Sequence, residues 1–108
     1  MGFELTILGS SSATPIYNRH PTSQLLSIRD HIFLIDCGEG TLMQLLNYRI
    51  KYHRISRIFI SHLHGDHYLG LLGLISTFHL QGRTGDLHIY GQQELMDIIE
   101  LQLRISNT

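Results

Sequence analysis

Three histidines and one aspartate crowd into six residues, HLHGDH at 62–67, straight after the apolar β-prone run Ile58-Phe59-Ile60. That junction constrains the fold more than any other stretch, because open α/β sheets gather ligands beyond the carboxyl ends of their strands. In an extended segment, residues two apart point the same way and lie about 6.6 Å apart along the chain. His62 and His64 can therefore aim both imidazoles at one ion, with zinc–nitrogen bonds of about 2.1 Å. Asp66 and His67 are adjacent and would diverge in a strand. Gly65 permits a sharp turn, after which this pair can serve a second ion nearby. Hydrolytic sites with two metals hold them ~3.5–4 Å apart, a gap that a six-residue loop can span. The plainer alternative, a loop of satisfied surface histidines, is the weaker reading for so dense a cluster of ligating side chains.

The surrounding pattern alternates strands with helices. Phe3 to Leu8 reads as a strand ending at Gly9, and the polar loop Ser10 to Ser23 holds Pro15 and Pro21. Gln24–Ile28 and His31–Asp36 are β-prone runs joined by Arg29-Asp30, a plausible hairpin. Gly38 and Gly40 break the chain, and Thr41 is predicted to cap a helix whose Leu42, Leu45 and Leu46 share one face. A basic loop from Tyr48 to Arg57 leads into the strand Ile58–Ile60. A helix is expected from Tyr68 to His79, a short strand from Asp86 to Tyr90, and a final helix from Gln93 to Ile105. If the helix near Leu42 is a crossover, the strands on either side of it are parallel, and Asp36 sits beside the metal loop. A carboxylate there either orients a ligand histidine or the loop backbone, or is a turn carboxylate ahead of Gly38.

The chain of 108 residues allows one domain or one half of a larger one. It is 43% apolar and 16% charged, against an average near 25% charged, which excludes a disordered tail. A net charge of −1 excludes a strongly basic nucleic-acid clamp, though not a local basic patch. Arg49, Lys51, His53, Arg54 and Arg57, with Tyr48 and Tyr52 interleaved, could make one, but a solvated loop away from the site is the preferred reading. The single cysteine, Cys37, cannot form an intrachain disulfide and reads as a small buried residue, with a soft zinc ligand as the alternative. No segment is long and apolar enough for a bilayer, and no secretory signal opens the chain, so a cytoplasmic location is expected.

Leu95, Ile98, Ile99 and Ile105 form one stripe of the last helix, and Met96, Leu101 and Leu103 spread apolar surface beyond it. A helix apolar nearly all round is normally buried, which predicts that the chain stops inside a larger fold. Two ions also need more than four protein ligands. His79 lies ~18 Å along the helix from His67, His31 and His53 fall at the wrong end of the sheet, and His20 and His88 stay open. The chain thus carries half a binuclear site.

The HLHGDH run, preceded by FIS and followed by YLGLLGL, resembles the metal motif of the metallo-β-lactamase fold. LGSSSATP, FLIDCGEGT and FHLQGRTGDLHIYG narrow the resemblance to the ribonuclease Z family, from about Phe3 to the end of the chain. The fold implied is α/β, the N-terminal half of a metallo-β-lactamase-type αβ/βα sandwich with a mixed sheet and flanking helices. Residues 1–108 would be a single partial domain. The resemblance implies a zinc-dependent endoribonuclease that removes the 3′ trailer from precursor tRNA, leaving a tRNA 3′-hydroxyl and a 5′-phosphorylated trailer. His62 and His64 would bind the first Zn²⁺, Asp66 and His67 the second, and Asp66 would take the proton of the attacking water. Asp36 is the candidate that orients this set, and the Ser10–Pro15 loop would line the cleft. Precursor tRNA and a second copy of the chain, as a homodimer, are the implied partners. By itself the chain is expected to be inactive. Two other readings remain: a hydrolase of small esters, thioesters or sulfates with the same fold, and a non-catalytic fragment that self-associates through its apolar helix.

Overall fold

The computed structural model describes residues 3–9, 23–29, 31–61 and 65–106, with the backbone alone at Phe3 and Asp66. Of the polar loop expected over Ser10 to Ser23, residues 10–22, His20 among them, lie outside the described residues, as do Asp30, His62 and His64, and Ser23 is the first residue of the second strand. Five strands are ordered in space as in sequence: β1 (Phe3–Gly9), β2 (Ser23–Ile28), β3 (His31–Ile35), β4 (Ile55–Phe59) and β5 (His88–Tyr90). β1, β2 and β3 pair antiparallel, whereas β3, β4 and β5 pair parallel. The switch follows from connection length: a tight turn at Arg29, with φ of 55°, joins β2 to β3, but parallel neighbours need a crossover of a dozen or more residues. Helix α1 (Thr41–Asn47) makes the first crossover, α2 (Gly65–Tyr68) and α3 (Leu71–Leu80) the second, and α4 (Gln93–Ile105) follows β5. The mixed sheet is as the resemblance implied, and the parallel pairing of β3 with β4 is as the pattern predicted.

Leu25, Leu34 and Ile58 lie on one face of the sheet, which Leu45 of α1, Leu71, Leu74 and Phe78 of α3, and Leu95 and Ile99 of α4 cover to form the core. Four local readings need correction. β4 begins at Ile55 and not at Ile58, because a register irregularity opposite Ile32 and Phe33 brings Ile55 and Ile58, three residues apart, into the core together. A strict two-residue period cannot see that. Thr41 does not cap α1 but is its first residue: its hydroxyl donates back to the Gly38 carbonyl at 2.7 Å, and Gly40, at φ 84°, holds the cap position. Leu46 is half exposed, and Gln44 takes the buried place beside Leu45, its Nε2 donating to the Leu8 carbonyl at 2.8 Å. The helix expected over Tyr68 to His79 is two helices, broken at Leu69 and Gly70.

Helix α4 has the predicted bounds, yet only Leu95 and Ile99 are buried, while Ile105, expected on the buried stripe, is exposed along with Leu101. The second face of the sheet is also open. Leu5, Ile7, Phe59 and Tyr90 are exposed there, and Phe59 stacks on Tyr90 with ring centroids 4.9 Å apart. Arg57 lies over Phe33 and reaches the Tyr90 hydroxyl at 3.4 Å. At the amino ends of the parallel strands, Arg83 donates to the carbonyls of His53, Gly85 and Asp86 at 2.9–3.0 Å and rests on the Phe78 ring. Desolvation lowers the pKa of its guanidinium. Those bonds staple the α3–β5 connection to the start of β4.

Candidate metal centre

Parallel pairing brings the carboxyl ends of β3 and β4 together, and Asp36 and Ser61 follow those ends directly. Asp36 adopts φ of 61°, the left-handed region that Asp enters more readily than most residues. Its amide donates to the Phe59 carbonyl at 2.7 Å, which ties the turn to β4. Its carboxylate then accepts from three donors. The Ser61 amide reaches Oδ1 at 2.8 Å, and the Ser61 hydroxyl lies 2.9 and 3.0 Å from the two oxygens. His67 Nδ1 stands 2.8 Å from Oδ2, and the Ser61 Oγ lies 3.2 Å from the same nitrogen. The side chains of His67 and Asp36 are 19% and 9% exposed, so little water competes for this pair.

With the proton on the ring nitrogen that faces the carboxylate, Nε2 is the nitrogen of His67 that can serve as a metal ligand. This is the donor arrangement in which a carboxylate behind a histidine fixes tautomer and ring orientation, so the residues present fit a divalent ion. Asp36 meets both a histidine ring, at His67 Nδ1, and the loop backbone, at the Ser61 amide. His62 and His64 lie outside the described residues, as does the Asp66 side chain. Among the described residues no group of three or more ligating side chains comes together. His67 and Asp36 are the part of the predicted set that the structure brings into contact.

Two further residues went unread in the sequence. Ser61, the last letter of FIS, bridges the carboxylate to the histidine, and only the juxtaposition of two strand ends reveals it. Gly70 is the second. The Cys37 amide donates to the His67 carbonyl at 2.7 Å, and the Gly70 amide donates to the Cys37 carbonyl at 2.8 Å. The turn 67–70 thereby grips Cys37 on both sides.

Cys37 itself is fully buried, as expected of a small packing residue. Burial pushes its thiol up from 9.0 to about 12, with a Thr41 hydrogen bond opposing the shift and the Asp36 charge adding to it. Its contribution to stability is full below pH 9 and is lost as pH rises toward 12, since the unfolded thiol ionises first. The thiolate is the reactive form, so iodoacetamide at pH 8 should label the native chain about a thousandfold more slowly than the urea-unfolded chain, as read by mass spectrometry. Equal rates would contradict the buried placement.

The basic stretch lies at the other end of the sheet. Tyr52 stacks with Phe78 at 6.1 Å and accepts a bond from Gln81 at 2.6 Å, so its ring serves the fold. A cavity of 440 Å³ lined by His53, Phe78, Gln81 and Arg83 also lies at that end, away from Asp36.

The family described as Anti-Pycsar protein Apyc1 matches residues 3–106. Ribonuclease Z of Bacteroides fragilis is 55% identical over 97 residues, which cover 90% of this chain and 32% of that relative. The crystal structure of human tRNase Z, short form, is similar at a TM-score of 0.88 and 41% identity, over 96% of this chain and 40% of that one. The metallo-β-lactamase fold protein YhfI of Bacillus subtilis is similar in fold, at a TM-score of 0.64 and 24% identity, over 76% of this chain and 34% of its own. The chain spans about a third of the length of the curated relatives it matches.

Proposed function

The chain belongs to the Anti-Pycsar protein Apyc1 family, and from its likeness to ribonuclease Z we propose that it carries the metal-gathering part of an endoribonuclease that removes the 3′ trailer from precursor tRNA. Its fold is the metallo-β-lactamase fold. The observation that carries the reading is the Asp36–His67 pair, set at the carboxyl ends of two parallel strands in a chain 55% identical to a ribonuclease Z.

In this reading His62 and His64 hold one zinc ion, and Asp66 and His67 hold a second. Bound there, the two ions supply Lewis acidity toward the phosphodiester and lower the pKa of the attacking water. The chain's own groups do the rest. Asp36 keeps the proton on His67 Nδ1 and the ring in one orientation, and Ser61 holds the carboxylate in place with two bonds. The Asp66 carboxylate takes the proton released by the water. The products are a tRNA 3′-hydroxyl and a 5′-phosphorylated trailer. Four ligands are too few for two ions, so the remaining ligands and the general acid come from beyond these residues and the isolated chain is inactive. The whole enzyme works in the cytoplasm as a homodimer on precursor tRNA.

The matching family carries a description other than ribonuclease Z, so the assay includes a second reading, a hydrolase of small esters, thioesters or sulfates on the same fold. Incubating the complete protein with precursor tRNA and with p-nitrophenyl esters separates the two. Release of the trailer supports the first reading, and turnover of the esters alone replaces it with the second. His64→Ala should abolish both uptake of the first ion and cleavage, measured by metal analysis beside the tRNA assay.

A further inference from the structure

Gly70 has ordinary right-handed backbone, φ −82° and ψ −9°, which any residue can adopt. Conformational freedom therefore does not explain a glycine there, and space does. A Cβ on Gly70 would overlap the Gly38 carbonyl oxygen and would stand 3.1 Å from both the Gly38 carbonyl carbon and the Cys37 oxygen. Those are backbone atoms with little room to yield. The Gly38 carbonyl is itself pinned, accepting from the Thr41 hydroxyl at 2.7 Å and the Thr41 amide at 3.2 Å. On the far side of the same turn, the His67 carbonyl accepts from Cys37 while the His67 ring meets Asp36. One rigid contact thus sets the seat of the whole 67–70 turn.

We propose that Gly70 is a positioning residue for the second metal ion: its bare Cα against the Gly38 carbonyl sets the depth at which His67 meets Asp36. The proposal rests on the two-ion reading above. Any side chain at 70 lifts the turn off Cys37, lengthens the bonds on both sides of that residue, and draws the His67 ring away from the carboxylate that fixes its tautomer. Gly73 supplies an internal control, because it lies in α3 and a Cβ there meets nothing within 4 Å.

The test is a Co²⁺ titration of the complete protein, followed by calorimetry and by visible absorption, on wild type, Gly70→Ala and Gly73→Ala. Gly70→Ala should take up the first ion as wild type does and weaken the second by about tenfold, the lower end of what loss of a ligand's support costs. Gly73→Ala should match wild type at both steps. Both steps unchanged in Gly70→Ala, or both weakened together as in general destabilisation, overturns the proposal. If Gly70→Ala does not fold, Thr41→Val releases the Gly38 carbonyl from the other side. Weakening of the second step alone then supports the proposal, and an unchanged second step overturns it. Fewer than two ions in the wild type removes the two-ion reading, and the proposal with it, before any variant is compared.

Discussion

Replacing Asp36 with alanine is expected to lower stability by about 2–4 kcal/mol and to loosen the second ion in the same variant. Three donors converge on that carboxylate, two from Ser61 and one from His67. Removing it takes a shared, charged acceptor from the Ser61 amide, the Ser61 hydroxyl and His67 Nδ1 together, and bonds to a charged group contribute more than neutral ones. Alanine also enters the left-handed backbone at a penalty of about 1 kcal/mol. Asp36→Asn divides these effects. Asparagine tolerates φ of 61° and keeps one acceptor oxygen, but its amide nitrogen must face either the Ser61 amide or His67 Nδ1–H. Urea midpoints should therefore fall less for Asn than for Ala, while the second ion weakens in both. Equal midpoints for Asp, Asn and Ala would show that the carboxylate network contributes nothing to the fold.

Asp66→Ala is expected to reduce trailer cleavage on the order of a thousandfold, the combined loss of a metal ligand and a proton acceptor. Folding should change by no more than about 1 kcal/mol, because in this reading the side chain serves the ion and not the core. Single-turnover cleavage of precursor tRNA by the complete protein, beside a thermal melt, separates these two quantities. Unimpaired cleavage removes Asp66 from the mechanism. A melt that falls by many degrees would recast it as a structural residue.

The elements that could be read from residue pattern were those whose pattern is local. β1, the β2–β3 hairpin and α4 declare themselves through runs of apolar residues and turn chemistry. The parallel pairing of β3 with β4 follows from the length of the segment between them, and with it the placement of Asp36 beside the HLHGDH strand end. What could not be read depends on partners distant in sequence. Ile55 joins the core only because of a register irregularity against β3. Gln44 is buried in place of Leu46 because the Leu8 carbonyl, far away in sequence, needs a donor. The break between α2 and α3 includes Gly70, where a Cβ would overlap the Gly38 carbonyl oxygen, and in sequence Gly70 looks no different from Gly73. The support behind the proposed ligand set was legible only in part. Asp36 could be placed by topology, whereas Ser61 became visible only once two strand ends stood side by side.

Position 36 answers to two independent filters. Its backbone twist favours glycine, asparagine or aspartate. Its three donors are met in full only by a carboxylate, which glycine and asparagine lack and glutamate supplies at the wrong length. One amino acid survives both. A single substitution at this position therefore gives up either the backbone twist or the charged acceptor.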